Sequence, residues 1–161
     1  MRIGVVSDTH GHVPFTRDAV RMLEQLEVEL VIHCGDVGSA EIVSLFSAWP
    51  THFVLGNVDV DDSQWDAVIE AAGQKCHGRF GSLEAGGVGI AFLHGDDERR
   101  FREALDGGEW DMILYGHTHV ARQSRVGRTL VLNPGAIYRA NPRSIAVVEL
   151  PALEATMVPL A

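Results

Sequence analysis

The sequence predicts an α/β fold with a mixed two-sheet core and helices outside it, on three observations. In the first half, short apolar runs alternate with amphipathic segments, the βαβαβ pattern of a parallel sheet. In the second half, short β-rich runs are separated by tight turns, which favours antiparallel pairing. With 161 residues, 46% of them hydrophobic, the chain has the length and apolar content expected of one domain, residues 1–161.

The first half predicts three strands that alternate with three helices. The strands are the apolar runs at residues 3–7, 30–34 and 52–55. The first helix begins near Pro14, since proline suits a first helical turn. The helices follow from apolar residues at helical spacing: Ala19, Val20, Leu23 and Leu26 in the first, Ile42, Val43, Leu45 and Phe46 in the second, and residues 67–72 in a weaker third.

The second half predicts a hairpin, a helix and a series of mostly antiparallel strands. The hairpin pairs residues 79–84 with residues 88–93 around Gly86-Gly87. A helix over residues 99–105 follows, and residues 96–98 are acids that favour its start. The remaining strands, separated by turns such as Gly127-Arg128, are residues 112–115, 123–126, 129–132, 145–150 and 155–158.

Charge and composition exclude several classes of protein. Lys and Arg number 13 and Asp and Glu 22, so the net charge of −9 argues against nonspecific binding to nucleic acid or to an anionic membrane. Cys34 and Cys76 have no paired spacing, which argues against a disulfide framework or a zinc knuckle. No signal peptide is recognisable at the start, and no segment approaches the roughly 20 apolar residues of a membrane helix. A cytoplasmic location is therefore expected.

Five predicted strands end in residues that bind metals well. Because carboxyl ends of strands in such sheets meet at one edge, groups distant in sequence can share one centre there. The segments are Asp8-Thr9-His10, Gly35-Asp36, Gly56-Asn57-Val58-Asp59, His94-Gly95 and Gly116-His117-Thr118-His119.

Two carboxylates, four imidazoles and one amide form a mixed nitrogen and oxygen ligand set. Such a set suits divalent Mn, Fe, Co, Ni or Zn better than calcium. Seven ligands are too many for one ion, whereas two ions about 3.5–4 Å apart use them well and catalyse in-line displacement at phosphorus. Hydrolysis of a small phosphoester is the predicted reaction.

The motif series resembles that of the calcineurin-like metallophosphoesterases, and the short length with Asn133-Pro134-Gly135 is similar to their small bacterial and archaeal phosphodiesterase branch. The resemblance implies a four-layer α/β/β/α sandwich of two mixed sheets and a pair of divalent metal ions, with Mn expected first. It implies one metal on Asp8, His10 and His119, a second on Asn57, His94 and His117, and Asp36 as the bridge between them. A bridging hydroxide would attack phosphorus, with Asp36, Asn57 and His94 as catalytic residues.

Two departures from the family pattern bear on substrate choice. Many relatives place His after the motif Asn, where it can protonate the leaving group, whereas Val58 stands here. The general acid is therefore unassigned, and we expect slow turnover of alkyl esters and faster turnover of esters with acidic leaving groups. Asp36 is followed by Val37-Gly38-Ser39 rather than Asp-Arg-Gly, which argues against a phosphoprotein substrate.

Residues around the motifs are not assigned as metal ligands. His12 is expected to line the mouth of the site, and His33 to be a hydrogen-bonded core or edge histidine. The acids at positions 59, 61 and 62 are interpreted as a solvated loop, with Asp59 as an alternative support for a metal ligand. Arg139 and Arg143 are either exposed arginines or contacts to a phosphate oxygen.

The function predicted from the sequence is that of a dinuclear phosphodiesterase. A phosphomonoesterase, a nucleotide pyrophosphohydrolase and a noncatalytic interaction scaffold on the same fold are the alternatives, and the completeness of the ligand set favours an enzyme. A homo-oligomer stays open.

Overall fold

The computed structural model describes residues 1–161 and contains eleven strands and four helices. The strands are β1 (Arg2–Val6), β2 (Leu30–His33), β3 (Thr51–Phe53), β4 (Lys75–Cys76), β5 (Phe80–Ala85), β6 (Val88–Leu93), β7 (Met112–Leu114), β8 (Arg122–Val126), β9 (Thr129–Asn133), β10 (Arg143–Glu149) and β11 (Glu154–Leu160). The helices are α1 (Val13–Gln25), α2 (Ala40–Leu45), α3 (Asp62–Ala71) and α4 (Glu98–Asp106).

The strands form two mixed sheets. The six-stranded sheet has the order β11-β10-β1-β2-β3-β4, and the five-stranded sheet has the order β5-β6-β7-β9-β8. Strands β1 to β4 are parallel, whereas β10 and β11 add antiparallel strands at one side. In the second sheet β6, β7 and β9 are parallel neighbours, flanked by antiparallel β5 and β8. The predicted parallel first half is confirmed.

Three apolar clusters place the sheets and helices in four layers. The cluster between the sheets joins residues such as Ile3 and Ile32 of one to Phe92 and Leu114 of the other. The outer face of the six-stranded sheet packs on α1, α2 and α3, and α4 covers the outer face of the five-stranded sheet through Ala104. The α/β/β/α order implied by the family resemblance is confirmed. None of the four helices has the length and apolar character that crossing a bilayer requires.

Two elements differ from the sequence prediction. Helix α3 begins at Asp62 rather than at residue 67, because the Asp61 carboxylate accepts a hydrogen bond from the Gln64 amide and caps the helix. Strand β4 was not predicted, since two residues are too few to show an alternating pattern. The predicted acidic start of α4 is confirmed by Asp97, whose carboxylate accepts from the Arg100 amide.

A histidine pair lies beside β3 and β4, outside the motif series. The Nδ1 atom of His52 lies 2.8 Å from the Nε2 atom of His77. Burial, followed by the neighbouring His77, lowers the pKa of His52 to about 4, and burial also lowers the pKa of His77. Both rings are therefore neutral in the folded protein at neutral pH.

We expect His52 to make folding sensitive to mild acid. Its folded pKa lies below the unfolded value of about 6.5, so its contribution to stability is complete above pH 6.5 and is lost as the pH falls toward 4. Between pH 7 and pH 5 the metal-free wild type should lose about 1 kcal/mol more free energy of unfolding than His52→Gln, after discounting for partial exposure. Urea unfolding at both pH values measures this, and identical pH dependence in the two proteins would contradict it.

Candidate metal centre

Five loops meet at the carboxyl ends of parallel strands. Asp8 and His10 follow β1, Asp36 follows β2, and Asn57 follows β3. In the other sheet His94 follows β6, while His117 and His119 follow β7. Because both sheets present these ends at the same side of the fold, side chains up to 111 positions apart in sequence, from residue 8 to 119, come within ligand distance of one another.

The Asp8 carboxylate is the centre of the first group of candidate metal ligands. Its Oδ2 atom accepts hydrogen bonds from the Ser7 hydroxyl at 2.6 Å and from the His117 amide at 3.1 Å. Its Oδ1 atom is buried and has no hydrogen-bond partner. The Nε2 atoms of His119 and His10 lie 3.1 and 3.5 Å from that oxygen. Asp8, His10 and His119 thus converge as a possible three-ligand site, the set that the resemblance assigns to the first metal.

Asp36 is arranged in the same way. Its Oδ1 atom accepts from the Val58 amide at 3.0 Å, which anchors the carboxylate. Its Oδ2 atom lies 3.2 Å from Nε2 of His94 and 3.5 Å from Nε2 of His10. A second convergent group consists of Asp8, Asp36 and His94, so both carboxylates lie between histidines of the two groups.

The imidazole nitrogens face one another and the two carboxylates at short distances. The Nδ1 atom of His94 lies 2.8 Å from the Cys34 carbonyl and therefore carries a proton, so in the neutral ring the buried Nε2 atom presents a lone pair to two carboxylates. Burial opposes protonation of this nitrogen, but a hydrogen bond to Asp36 and the charges of Asp8 and Asp36 outweigh it and raise the pKa of His94. The Nε2 atoms of His10 and His119 lie 3.3 Å apart. Neutral imidazole lone pairs and carboxylates repel at these distances. A proton relieves the repulsion at a single ring, whereas divalent cations would convert it into coordination across the whole set. The donor set therefore fits divalent transition metals.

Asn57 and His117 lie together on the exposed side of this centre. The Oδ1 atom of Asn57 is 3.2 Å from Nδ1 of His117, and the His117 ring stands edge-on to His94 with centroids 5.1 Å apart. The structure therefore brings all seven predicted ligands to one place. It leaves Asn57 and His117 open to solvent, where a substrate can approach.

The backbone at the ligands is unusual. Five of the seven predicted ligand residues have left-handed φ values, between 46° and 68°: Asp8, His10, Asp36, His117 and His119. Such angles are uncommon for residues with a Cβ atom and cost of order 1 kcal/mol or more each. The loops hold them through backbone hydrogen bonds, including those from Asp8 to the Gly35 carbonyl and from His10 to the Asp36 carbonyl.

Two glycines permit the close approach of these loops. A Cβ atom on Gly56 would overlap Oδ1 and the backbone nitrogen of Asp36, and one on Gly116 would overlap the Ser7 hydroxyl. Any side chain at either position would push a predicted metal ligand out of place.

Asp36 is ionised in the folded protein. Burial by itself would raise the pKa of this carboxyl group, but hydrogen bonding and charge from His94 and the Val58 amide outweigh it and lower the pKa to about 2. A carboxylate at this position is the form that binds a cation.

His33 joins the two carboxylate loops from beneath, as the predicted hydrogen-bonded core histidine. Its Nδ1 atom accepts from the Gly35 amide, and its Nε2 atom lies 3.0 Å from the Thr9 hydroxyl, which donates to the Val37 carbonyl. Complete burial lowers the pKa of His33 to about 3, so the ring is neutral.

Asp59 differs from the main sequence interpretation. It is fully buried and not part of a solvated loop. Its carboxylate accepts three hydrogen bonds, from the amides of Val37, Gly38 and Gly56 at 2.9–3.0 Å. Asp59 therefore connects the loop that carries Asp36 to the loop that carries Asn57. It forms no hydrogen bond with the side chain of a predicted ligand.

Sequence reasoning missed two supporting residues. Ser7, already mentioned, holds Asp8. The Asn133 amide donates to the Gly116 carbonyl and to the Thr118 hydroxyl, which braces the loop of His117 and His119. In the sequence Asn133 stands only in the Asn133-Pro134-Gly135 motif, and its contact with the loop depends on the pairing of β7 with β9.

His12, which is expected at the mouth, and Arg139 and Arg143, the possible phosphate contacts, have other partners in the structure. His12 caps α1 through its Nδ1 atom and stacks on the Tyr138 ring, with centroids 4.7 Å apart. Arg139 lies over the Tyr138 ring, and its carbonyl is 3.2 Å from Nδ1 of His119. Arg143 lies over Phe15, pairs with Asp18 and donates to the Ala161 carbonyl, so its guanidinium is already engaged.

Comparison with known proteins identifies the family to which the chain belongs. The model of the calcineurin-like phosphoesterase superfamily domain matches residues 1–152. The chain belongs to this superfamily. Phosphodiesterase MJ0936 from Methanocaldococcus jannaschii is 31% identical over 138 residues, which cover 84% of this phosphoesterase and 83% of that protein. The chain is accordingly a phosphoric ester hydrolase.

Solved structures agree with the assignment. An archaeal phosphodiesterase superposes on this phosphoesterase with a TM-score of 0.90 and 28% identity, over 99% of this chain and 100% of that one. Vps29 from Entamoeba histolytica, solved with Zn²⁺, has a TM-score of 0.71 and 19% identity, over 99% and 91% of the two chains. At that identity the second likeness concerns the fold alone.

Proposed function

We propose that this phosphoesterase is a dinuclear metal-dependent phosphodiesterase that acts on small phosphodiesters. The observation that carries the proposal is the inward aim of Asp8 Oδ1 and His94 Nε2, two buried atoms without a hydrogen-bond partner, at a site where the seven predicted ligand side chains meet. The relative named a phosphodiesterase supports the choice of a diester.

The proposed ligand sets are Asp8, His10 and His119 for one ion and Asn57, His94 and His117 for the other, with Asp36 between them. Two divalent ions held there would neutralise charge on the phosphoryl oxygens and lower the pKa of the attacking water. Manganese is the first expectation, and Ni, Co, Fe and Zn suit the same ligand set.

The chain's own residues supply the positioning. One oxygen of each of Asp8 and Asp36 is fixed by backbone amides, so the other oxygen keeps a fixed direction. The Cys34 carbonyl holds the proton of His94 on Nδ1 and keeps Nε2 free as a ligand. Asn57 and His117, at the solvent side, face an entering substrate.

Departure of the leaving group is the step with least assistance from the protein. Val58, which follows Asn57, has no proton to donate. A leaving alcohol of low pKa departs without protonation, so diesters of acidic alcohols are the proposed substrates and alkyl esters should react slowly.

Metal restoration tests the proposed function. The protein is stripped with a chelator, reloaded with Mn, Ni, Co, Zn or Mg in turn, and assayed with bis(p-nitrophenyl) phosphate and with p-nitrophenyl phosphate. We expect the stripped protein to be inactive and Mn to restore hydrolysis, with the diester preferred. Failure of every metal to restore hydrolysis of either ester would refute the enzyme proposal, and preference for the monoester would favour a phosphomonoesterase.

A further inference from the structure

An apolar pocket of about 300 Å³ opens beside the candidate metal centre. Val58, Val60, Trp65 and Val68 form most of its wall, Ala40 of α2 closes one side, and Gln64 is its polar residue. No lining residue is charged. Ligand pockets of whole molecules measure about 300–1,000 Å³, so this one has the size of a subsite for one ring.

The pocket exposes apolar surface that the fold does not use. Val58 is 43% and Val60 is 72% exposed, and both belong to the few large hydrophobic side chains that face solvent. An isolated exposed valine needs no explanation, but two exposed valines beside a tryptophan in a concave surface are typical of a site that binds apolar groups.

The acidic residues interleaved with these valines leave the pocket uncharged. The Asp59 carboxylate is buried against three backbone amides. Asp61 accepts from the Ser63 hydroxyl and the Gln64 amide, and Asp62 pairs with Arg79. Residues 58–62 are thus an acidic segment whose side chains in the pocket wall, Val58 and Val60, are apolar.

The pocket shares its wall with the metal centre. Val58 is adjacent to Asn57, and its amide donates to Oδ1 of Asp36 at 3.0 Å. Gly38, at the pocket's other side, is two residues from Asp36 and donates to the Asp59 carboxylate. The pocket and the centre are therefore neighbours, joined through the loops that carry Asn57 and Asp36.

We propose that this pocket binds an aromatic ester group of the phosphodiester, and the proposal rests on the proposed function. A flat ring would bury its faces against Trp65 and the two exposed valines. An aryl alcohol is also more acidic than an alkyl alcohol and departs without being protonated. The pocket therefore selects a leaving group that does not need the proton that Val58 cannot supply.

Binding of two phosphonates to the Mn-loaded protein tests the pocket. Phenylphosphonate and methylphosphonate carry the same anionic group and differ in the ring alone. By calorimetric titration we expect the wild type to bind phenylphosphonate about tenfold more tightly than methylphosphonate, from the extra apolar surface buried. Val60→Ser should lower this ratio about threefold.

Val126→Ser is the matched control, since Val126 is an exposed valine on β8, 48% exposed and outside the pocket. It should keep the wild-type ratio. A wild-type ratio near one, a Val60→Ser ratio equal to that of the wild type, or failure of both phosphonates to bind would overturn the pocket. Hydrolysis is not needed for this readout: a tenfold ratio without turnover would refute the proposed function and support the pocket.

Discussion

Asp36→Asn is expected to lower kcat/KM for an aryl phosphodiester about a thousandfold or more, equivalent to at least about 4 kcal/mol of transition-state stabilisation. The carboxylate lies between His94 and His10, and one of its oxygens is already fixed by the Val58 amide. An amide has the same shape without the negative charge that both proposed ions require. Steady-state kinetics with saturating Mn, together with the metal content of the purified variant, measures the effect.

Two variants serve as controls. Asp111→Asn changes a carboxylate that likewise accepts a hydrogen bond from a backbone amide, that of Gly89. Asp111 directly precedes β7, so it lies at the amino end of that strand, whereas the metal centre lies at the carboxyl end. It should retain nearly full activity. His12→Ala removes a helix cap and an aromatic contact with Tyr138, and we expect a loss of threefold or less. Losses in either control equal to that of Asp36→Asn would refute the bridging role.

Gly56→Ala is expected to destabilise the protein and to weaken metal binding together. The added Cβ atom would overlap both the backbone nitrogen and the carboxylate of Asp36, and neither can withdraw, because Asp36 is held by the Val58 amide. Overpacking of this kind costs about 1–3 kcal/mol, and we expect metal affinity to fall about a hundredfold. Thermal unfolding of the metal-free protein and titration with Mn measure the two effects separately.

Gly89→Ala is the matched control for this substitution. Gly89 also lies near a carboxylate, that of Asp111, but its Cβ atom would meet it at an ordinary 3.5 Å. The backbone there is not left-handed. Its metal affinity should equal that of the wild type, and its change in stability should stay below about 1 kcal/mol. Normal metal affinity in Gly56→Ala would show that the loop of Asp36 adapts to the extra atom.

The fold was largely predictable because the patterns that encode it are local. Alternating apolar runs and amphipathic segments marked β1 to β3 and α1, and the Gly86-Gly87 turn marked the hairpin of β5 and β6. Strand β4 was missed because its pairing with β3 depends on a neighbour rather than on its own two residues. The start of α3 was missed because a single capping bond from Asp61 decides it.

The candidate site was predictable in its residue types and unpredictable in its supports. Metal-binding side chains at five strand ends indicated one centre, since parallel strands bring these ends together. Asp59 illustrates the limit. In sequence it belongs to an acidic run and resembles its solvated neighbours, whereas in the structure three amides from two loops surround it.

The sequence by itself determined the parallel sheet of the first half, the seven predicted ligand residues at the strand ends, and the replacement of a possible acid by Val58. Those features depend on residue identity and short spacing. Only the tertiary structure decided which oxygen of Asp8 points inward, which nitrogen of His94 is free, and that Val58, Val60 and Trp65 enclose a pocket. These depend on contacts between loops far apart in the chain, and a hydrogen bond to one atom of a side chain leaves no trace in the order of residues.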